Sequence, residues 1–343
     1  MAETAKLQIE KIITEVLATI DREREREIIS RRFGLFDRKE TLEQIGELLG
    51  ITRERVRQLE KAVVARLKAQ ADGGQMPHIA MVQDALMEQL GNMGNIARIS
   101  ELTSKFTKDN TRVDQARISF LAQLSPRLVV IDDNDHYFHA VGINGVHDEK
   151  TIKNLVEKTI ASVKQIGEPV SIEQIAAAAK IDNAKHATAL ASISKALATL
   201  NNRWGLIKWP MVNPKNIRDK IYVILKEHGK HMHFNEIAGA IKGSEFKRKD
   251  VTTQAIHNEL IKDKRFVLIG RGIYALKEWG YEKGTVADII TSVLKKSKEP
   301  LHRDEIVKLV LKSRYVKETT ILLNLQGKPQ FKRVAKATYA LAE

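Results

Sequence analysis

Two glycines four residues apart, Gly46 and Gly50, constrain this chain more than any other feature, because of what surrounds them in Thr41-Leu42-Glu43-Gln44-Ile45-Gly46-Glu47-Leu48-Leu49-Gly50-Ile51-Thr52-Arg53-Glu54-Arg55-Val56-Arg57-Gln58-Leu59-Glu60. Thr41 followed by Gln44 is a capping box, so a helix starts there. Ile45 and Leu49 give it one apolar face. Gly50 ends it, since glycine takes the left-handed conformation freely. Thr52 caps a second helix, in which Val56, Leu59 and Val63 repeat at spacings of three and four and face a core. Gly46 then falls where the two helices cross closely and a side chain would push them apart. The pattern predicts a helix-turn-helix. Arg53, Glu54, Arg57, Gln58 and Lys61 lie on the face opposite the core. A helix of this diameter enters the DNA major groove with its N-terminal residues against the bases. Arg suits guanine, Gln suits adenine, and Glu accepts from the cytosine amino group.

Thr52-Arg53-Glu54-Arg55-Val56-Arg57-Gln58-Leu59-Glu60, with Arg24-Glu25 and Arg31-Arg32-Phe33-Gly34-Leu35 before it, resembles region 4 of housekeeping-type bacterial RNA polymerase sigma factors. The resemblance covers about residues 20–69. It implies recognition of a promoter −35 element and docking on the flap of the polymerase β subunit. By motif position it implies that Arg53, Glu54, Arg57 and Gln58 face bases or nearby phosphates, and that Arg24, Arg32, Thr41 and Thr52 hold the DNA backbone. Arg55 matches too, but the helical wheel sets it off the centre of the reading face, so it and Lys61 are expected on the backbone. About twenty residues precede the match. Their apolar positions, Leu7, Ile9, Ile12, Ile13, Val16 and Leu17, suit one amphipathic helix packed on the motif. No aromatic-rich melting segment is found there, so the chain is not expected to open promoters alone or to act as a complete sigma factor.

The 343 residues are enough for several small domains. There are no cysteines, which excludes disulfides and thiolate zinc sites and agrees with a reducing cytoplasm. Neither an N-terminal signal peptide nor a run of about twenty apolar residues occurs, so no membrane association is expected. The net charge is +14, and residues 213–343 carry 27 Lys and Arg against 15 Asp and Glu, a net of +12. Such a basic part attracts polyanions by counterion release, with an acidic protein surface as the other partner of matching charge.

Beyond Ala71–Pro77, a linker by composition, one unit repeats. Each copy has an amphipathic helix, then a short helix marked by an acidic or amide residue before an apolar one, then a third helix and a short hairpin. The markers are Ser100-Glu101-Leu102, Glu173-Gln174-Ile175, Asn235-Glu236-Ile237 and Asp304-Glu305-Ile306, at intervals of 73, 62 and 69 residues. Val170 and Phe234 suit a short strand leading into the second helix. The hairpins are expected at Leu128–Ile131 with Tyr137–Val141, Trp204–Trp209, Phe266–Ile269 with Ile273–Leu276, and Phe331–Val334 with Thr338–Leu341. Three helices and a hairpin describe a winged helix, and repeats at this spacing argue for an array. The expected fold class is therefore mainly α: a helix-turn-helix domain at 1–70, a linker at 71–77, and winged-helix units at 78–145, 146–212, 213–279 and 280–343.

The unit Asn216–Lys277 resembles the HARE-HTH winged-helix family, through His233-Phe234-Asn235-Glu236-Ile237-Ala238, Val251-Thr252-Thr253-Gln254-Ala255-Ile256-His257-Asn258-Glu259-Leu260 and Arg265-Phe266-Val267-Leu268-Ile269-Gly270-Arg271-Gly272-Ile273-Tyr274-Ala275-Leu276. The final unit looks like a more distant copy. That family includes the N-terminal domain of the polymerase delta subunit and modules of chromatin and DNA-modifying proteins, so the resemblance implies a nucleic-acid or polymerase setting. Lys247, Arg248, Lys249, Lys264, Arg265 and Arg271 in one unit, and Lys332, Arg333 and Lys336 in the other, are candidate phosphate contacts. The tip Asp132-Asp133-Asn134-Asp135 of the first unit would repel phosphate, which suits a spacer or a protein contact. His231 with His233, and His136 with His139, have no evident third ligand, so no metal is expected. No cofactor is expected, and no glycine-rich phosphate loop or nucleophile elbow is present. The composite expectation is a cytoplasmic, nucleoid-associated transcription protein that acts by binding duplex DNA and polymerase core. Two alternatives remain at this level: a delta-like accessory subunit acting by protein contact, and the DNA-targeting subunit of a restriction or modification system.

Overall fold

A computed structural model describes residues 8–342. The chain forms two compact units that divide between Ile207 and Lys208. The architecture is mainly α, with small antiparallel sheets.

The first unit opens with α1 (Ile9–Ala18), α2 (Glu23–Phe33), α3 (Leu42–Leu49) and α4 (Arg53–Asp72). In α1 the residues Ile9, Ile12, Ile13, Val16 and Leu17 are buried, as their spacing predicts; Leu7 lies outside the described residues. The helix docks less on the motif than on α7, an element of the next repeat. Ala71–Pro77 forms no free spacer: Ala71 and Asp72 end α4, Gly73 and Gly74 turn the chain, Met76 is buried, and Pro77 opens α5 (Pro77–Asn92). After β1 (Ile96–Arg98) come α6 (Ile99–Thr103), α7 (Arg112–Leu124), β2 (Leu128–Ile131) and β3 (Ala140–Ile143). β3 lies between β1 and β2, with Gly142 opposite Ile96 on one side and Val129 on the other. The expected second strand at Tyr137–Val141 is therefore shifted, and Tyr137 instead bridges to Ser194.

The next repeat has α8 (Glu149–Ile166), α9 (Ile172–Ala179), α10 (Ala184–Ile193), β4 (Leu197–Leu200) and β5 (Arg203–Leu206). Sequence reading placed this hairpin at Trp204–Trp209; the strands pair across Asn201-Asn202, both at positive φ, and Trp204 is a core residue bridged to Val170. The second unit repeats the connectivity twice. Its first half is α11 (Ile217–His228), β6 (Met232–His233), α12 (Phe234–Gly243), α13 (Thr253–Lys262), β7 (Phe266–Gly270) and β8 (Ile273–Leu276). Its second half is α14 (Val286–Ser297), β9 (Leu301–His302), α15 (Arg303–Ser313), α16 (Glu318–Gly327), β10 (Phe331–Ala335) and β11 (Thr338–Leu341). In every three-stranded sheet the last strand lies in the middle.

The sequence markers have a structural meaning. Leu102, Ile175, Ile237 and Ile306 are each 0% exposed, so the second helix of every repeat plugs its core with the same residue of the pattern. His233 and His302 cap α12 and α15 through Nδ1, each accepting from the backbone two residues on, which gives both histidines a structural use. Among the described residues no group of three His, Asp or Glu could hold a metal ion, and no helix is long and apolar enough to cross a membrane.

Cores do not respect the repeat boundaries. One apolar cluster joins α1, Ile29, Leu35, Val63 and Leu67 to α5, α7 and β3. Phe120 of α7 meets the ring of Phe33 at 4.7 Å, and buried Arg117 donates from Nε to the Leu35 carbonyl at 2.7 Å. A second cluster joins Ile96, Ile131, Tyr137 and Ala140 to α8, α9 and α10. There His186 Nδ1 meets the Gly94 carbonyl oxygen at 2.7 Å, the Arg98 guanidinium lies 3.9 Å over the Phe138 ring, and Phe138 N donates to the Ile193 carbonyl.

His139 sits beside α7, its Nε2 2.8 Å from Ser119 Oγ, and burial pushes its imidazole below the ordinary value despite Asp132 nearby. At and below the ordinary histidine pKa of about 6.5 the unfolded chain binds a proton that the folded chain resists, so stability rises with pH in that range. The unfolding temperature is therefore expected to fall between about pH 7 and pH 5.5, and His139→Gln to flatten part of that slope. Calorimetry across this range checks it, and equal slopes for both proteins would remove His139 as the cause.

Candidate nucleic-acid interface

The Thr41 hydroxyl accepts from Gln44 N at 3.2 Å and the Gln44 side chain accepts from Thr41 N at 2.9 Å, which closes the capping box. Gly50 has φ +65°, the left-handed turn the sequence calls for. Gly46 is required for a more specific reason than helix crossing: a Cβ there would lie 2.6 Å from the Ile51 carbonyl oxygen, so α3 leaves room only for a hydrogen against the turn. Thr52 caps α4 by accepting from Arg55 N. Ile28, Ile45 and Val56 form a small core, with Leu42, Leu49 and Leu59 packed around it.

That core turns Arg53, Glu54, Gln58 and Lys61 outward, with Arg57 partly exposed between them. The face is internally bonded. Arg57 clasps Glu54 through Nε at 2.8 Å and Nη2 at 2.5 Å, Gln58 Nε2 reaches Glu54 at 3.5 Å, and Arg55 Nη1 donates to Gln58 at 3.3 Å. The hydrogen bonds from Arg57 hold the Glu54 carboxyl below its usual range and raise Arg57 in turn. Arg53 and Lys61 take part in no ion pair among the described residues. The N-terminus of α4 thus presents an exposed polar face in which Arg57 and Glu54 satisfy each other until a ligand competes for them, a kind of donor and acceptor set that base edges can engage.

The residues expected on the DNA backbone divide. Arg24, Thr41, Thr52, Arg55 and Lys61 are exposed, although Arg24 donates from Nη2 to the Leu49 carbonyl and braces the turn. Arg32 is not open in this way: its Nε pairs with Glu60 at 3.2 Å and its Nη1 reaches the Glu40 carbonyl, tying α2 to α4. Glu25, part of the motif but given no role by the sequence, is a buried carboxylate held by Arg66 at 2.8 Å and Arg22 at 3.4 Å. Its signal is faint, because an acid within an alternating Arg/Glu helix reads as a solvated face.

In the second unit Lys247, Arg248 and Lys249 are exposed just before α13. The loop is pinned from below by buried Lys220, whose ammonium donates to the carbonyls of Lys247 at 2.8 Å and Arg248 at 2.6 Å. Lys264 and Arg271 are exposed, as are Lys332, Arg333 and Lys336. Arg265 is committed elsewhere: it bonds Asp263 through two nitrogens and Asp219 at 3.1 Å, leaving little of its fork for a phosphate.

The third helices of the repeats also divide. α7 buries Arg117, Ile118, Phe120, Leu121, Ala122 and Leu124, and α10 is buried to a similar extent against the first sheet. In α13 only Ile256 and Leu260 are buried, and Gln254 and Asn258 lie exposed. α7 and α10 are thus closed to a DNA groove by the packing of their own unit, while α13 has an open face.

The capped turn and the polar face of α4 define a helix-turn-helix head of the kind that reads duplex DNA. Residues 22–69, which hold this head, match the family described as sigma-70, region 4. The same part of the chain is similar to RNA polymerase sigma factor RpoD of Helicobacter pylori, 42% identical over 71 residues, which is 20% of this chain and 10% of that protein. It is also 55% identical over 47 residues to the RNA polymerase principal sigma factor HrdC of Streptomyces coelicolor, 13% of this chain and 14% of the relative. RNA polymerase sigma factor sigB of Arabidopsis thaliana is 50% identical over 46 residues, 13% of this chain and 8% of the relative. The chain therefore spans well under a fifth of the length of these relatives.

Proposed function

We propose that this chain is a DNA-binding transcription protein whose head recognises a promoter −35-like element and docks on RNA polymerase core through the β flap. The observation that carries the reading is the α4 face, where the exposed side chains of Arg57, Glu54 and Gln58 are bonded to one another at a capped helix N-terminus within a region 4 match. Arg53, Glu54, Arg57 and Gln58 contact base edges; Arg24, Thr41, Thr52, Arg55 and Lys61 contact the backbone. The four repeats are winged helices, the third of them HARE-HTH-like. Those of the first unit serve as a scaffold, since α7 and α10 are buried. The basic clusters of the second unit extend contact along nucleic acid or polymerase. The protein works by binding rather than catalysis, in the cytoplasm.

The burial of α7 and α10 also favours a second reading, a delta-like accessory subunit in which protein contact dominates. Selection from random duplexes separates the two. Arg57→Ala and Gln58→Ala are each expected to cost about 1–3 kcal/mol of discrimination at one base position and to change non-specific binding and its salt slope much less. If selection returns no preferred sequence, base reading fails. Polymerase capture that survives both substitutions then supports the accessory subunit.

A further inference from the structure

In the second unit, a groove of about 250 Å³ runs between α13 and the segment after α15. Ile261 and Leu268 stand along it, 63% and 45% exposed, over a floor of Phe266 and Tyr274, with Lys283 and Arg314 at the rim. No carboxylate lines it. Arg314 is held rather than mobile. Tyr315 N donates to the Ile269 carbonyl, and a Cβ on Gly270 would lie 2.9 Å from the Tyr315 carbonyl oxygen, so this segment lies flush against β7. Arg314 Nη1 donates to the Leu268 carbonyl at 2.8 Å, while its Nε is buried without a partner. Burial lowers its pKa, and Asp288, the acid that influences it, is engaged in capping Thr285.

A desolvated guanidinium without an ion pair is costly, and buried charges are normally paired. Here Asp288 acts on Arg314 only through space, its carboxylate accepting from Thr285, so the guanidinium has no directly bonded anion and can take one from a partner. Exposed Ile261 and Leu268 determine which anion, since a sugar-phosphate backbone has nothing to bury against them, whereas a peptide has side chains that do. We propose that this groove docks an extended protein segment that carries apolar residues next to aspartate or glutamate, with one carboxylate on the open Nη2 side of Arg314 and an apolar side chain between Ile261 and Leu268. A fixed arginine pays little of its conformational entropy on binding, which favours such an anchor.

The full chain tests this with a fluorescein-labelled dodecapeptide of three Asp-Leu-Glu-Phe repeats, followed by anisotropy. Saturable binding is expected, weakened about tenfold by Arg314→Ala through loss of a charge-assisted hydrogen bond. Ile261→Asp, at an exposed position that leaves the fold intact, is expected to weaken it as strongly, and a peptide with lysine for each acid should not bind. The proposal is overturned if both variants bind like the parent. It is also overturned if a generic duplex displaces the peptide and depends equally on Arg314, which makes the groove a nucleic-acid site. Self-association abolished by Ile261→Asp would assign the groove to a second copy and overturn it too.

Discussion

Gly94→Ala is expected to lower the stability of the first unit by about 2–5 kcal/mol, the sum of a strained left-handed backbone and a packed-core clash. Gly94 has φ +90°, which alone disfavours any side chain. An added Cβ would also lie 2.5 Å from the Lys185 carbonyl oxygen and 3.1 Å from the His186 Cα, both backbone atoms of α10 that cannot rotate away. The movement that relieves this contact lifts α10 off β1 and stretches the bond between His186 and the Gly94 carbonyl. The His186 Nε2 atom is already buried without a partner, so this seam has no reserve of hydrogen bonds. Urea unfolding followed by circular dichroism checks the size of the effect. A loss below about 1 kcal/mol would mean that α10 and β1 are not locked together as the packing implies.

Phe120→Ala is expected to cost about 3–5 kcal/mol, the usual range for deleting a buried aromatic ring. Where the loss is felt matters more than its size. Phe120 is 0% exposed in a cluster shared by the helix-turn-helix head and the first repeat, against Phe33. Its removal is expected to destabilise the head and that repeat together, in one transition, and so to weaken DNA binding near the unfolding temperature although the residue is not on the exposed face of α4. Hydrogen exchange resolved by segment distinguishes the outcomes. Protection lost only in residues 78–145, with α2 to α4 unchanged, would show the head to be an independent domain.

The helix-turn-helix was legible because its signals are local. A capping box, a glycine at the turn and a spacing of three and four each act within a few residues, and each appears at the position the sequence assigns. The markers were legible for the same reason: each of the four short helices buries the one apolar residue that the local pattern singles out. The hairpin at residues 197–206 differs from its expected place because its turn, Asn201-Asn202, is a weaker local signal than the tryptophans that follow. Arg32 and Arg265 were expected on phosphates because a motif position or a basic run does not show the carboxylates of Glu60, Asp263 and Asp219 waiting across the fold.

The sequence by itself determined the capped helix-turn-helix, the polar face of its second helix and the concentration of positive charge in the last 131 residues. These depend on local backbone preference, periodicity and composition. Only the tertiary structure decided that α7 and α10 are closed to a groove while α4 and α13 are open, and that the glycine-rich stretch after α4 is a turn within a continuous core. An amphipathic helix has the same pattern whether its apolar stripe covers its own repeat or a neighbour's, so burial against a distant segment leaves no periodic trace in the chain.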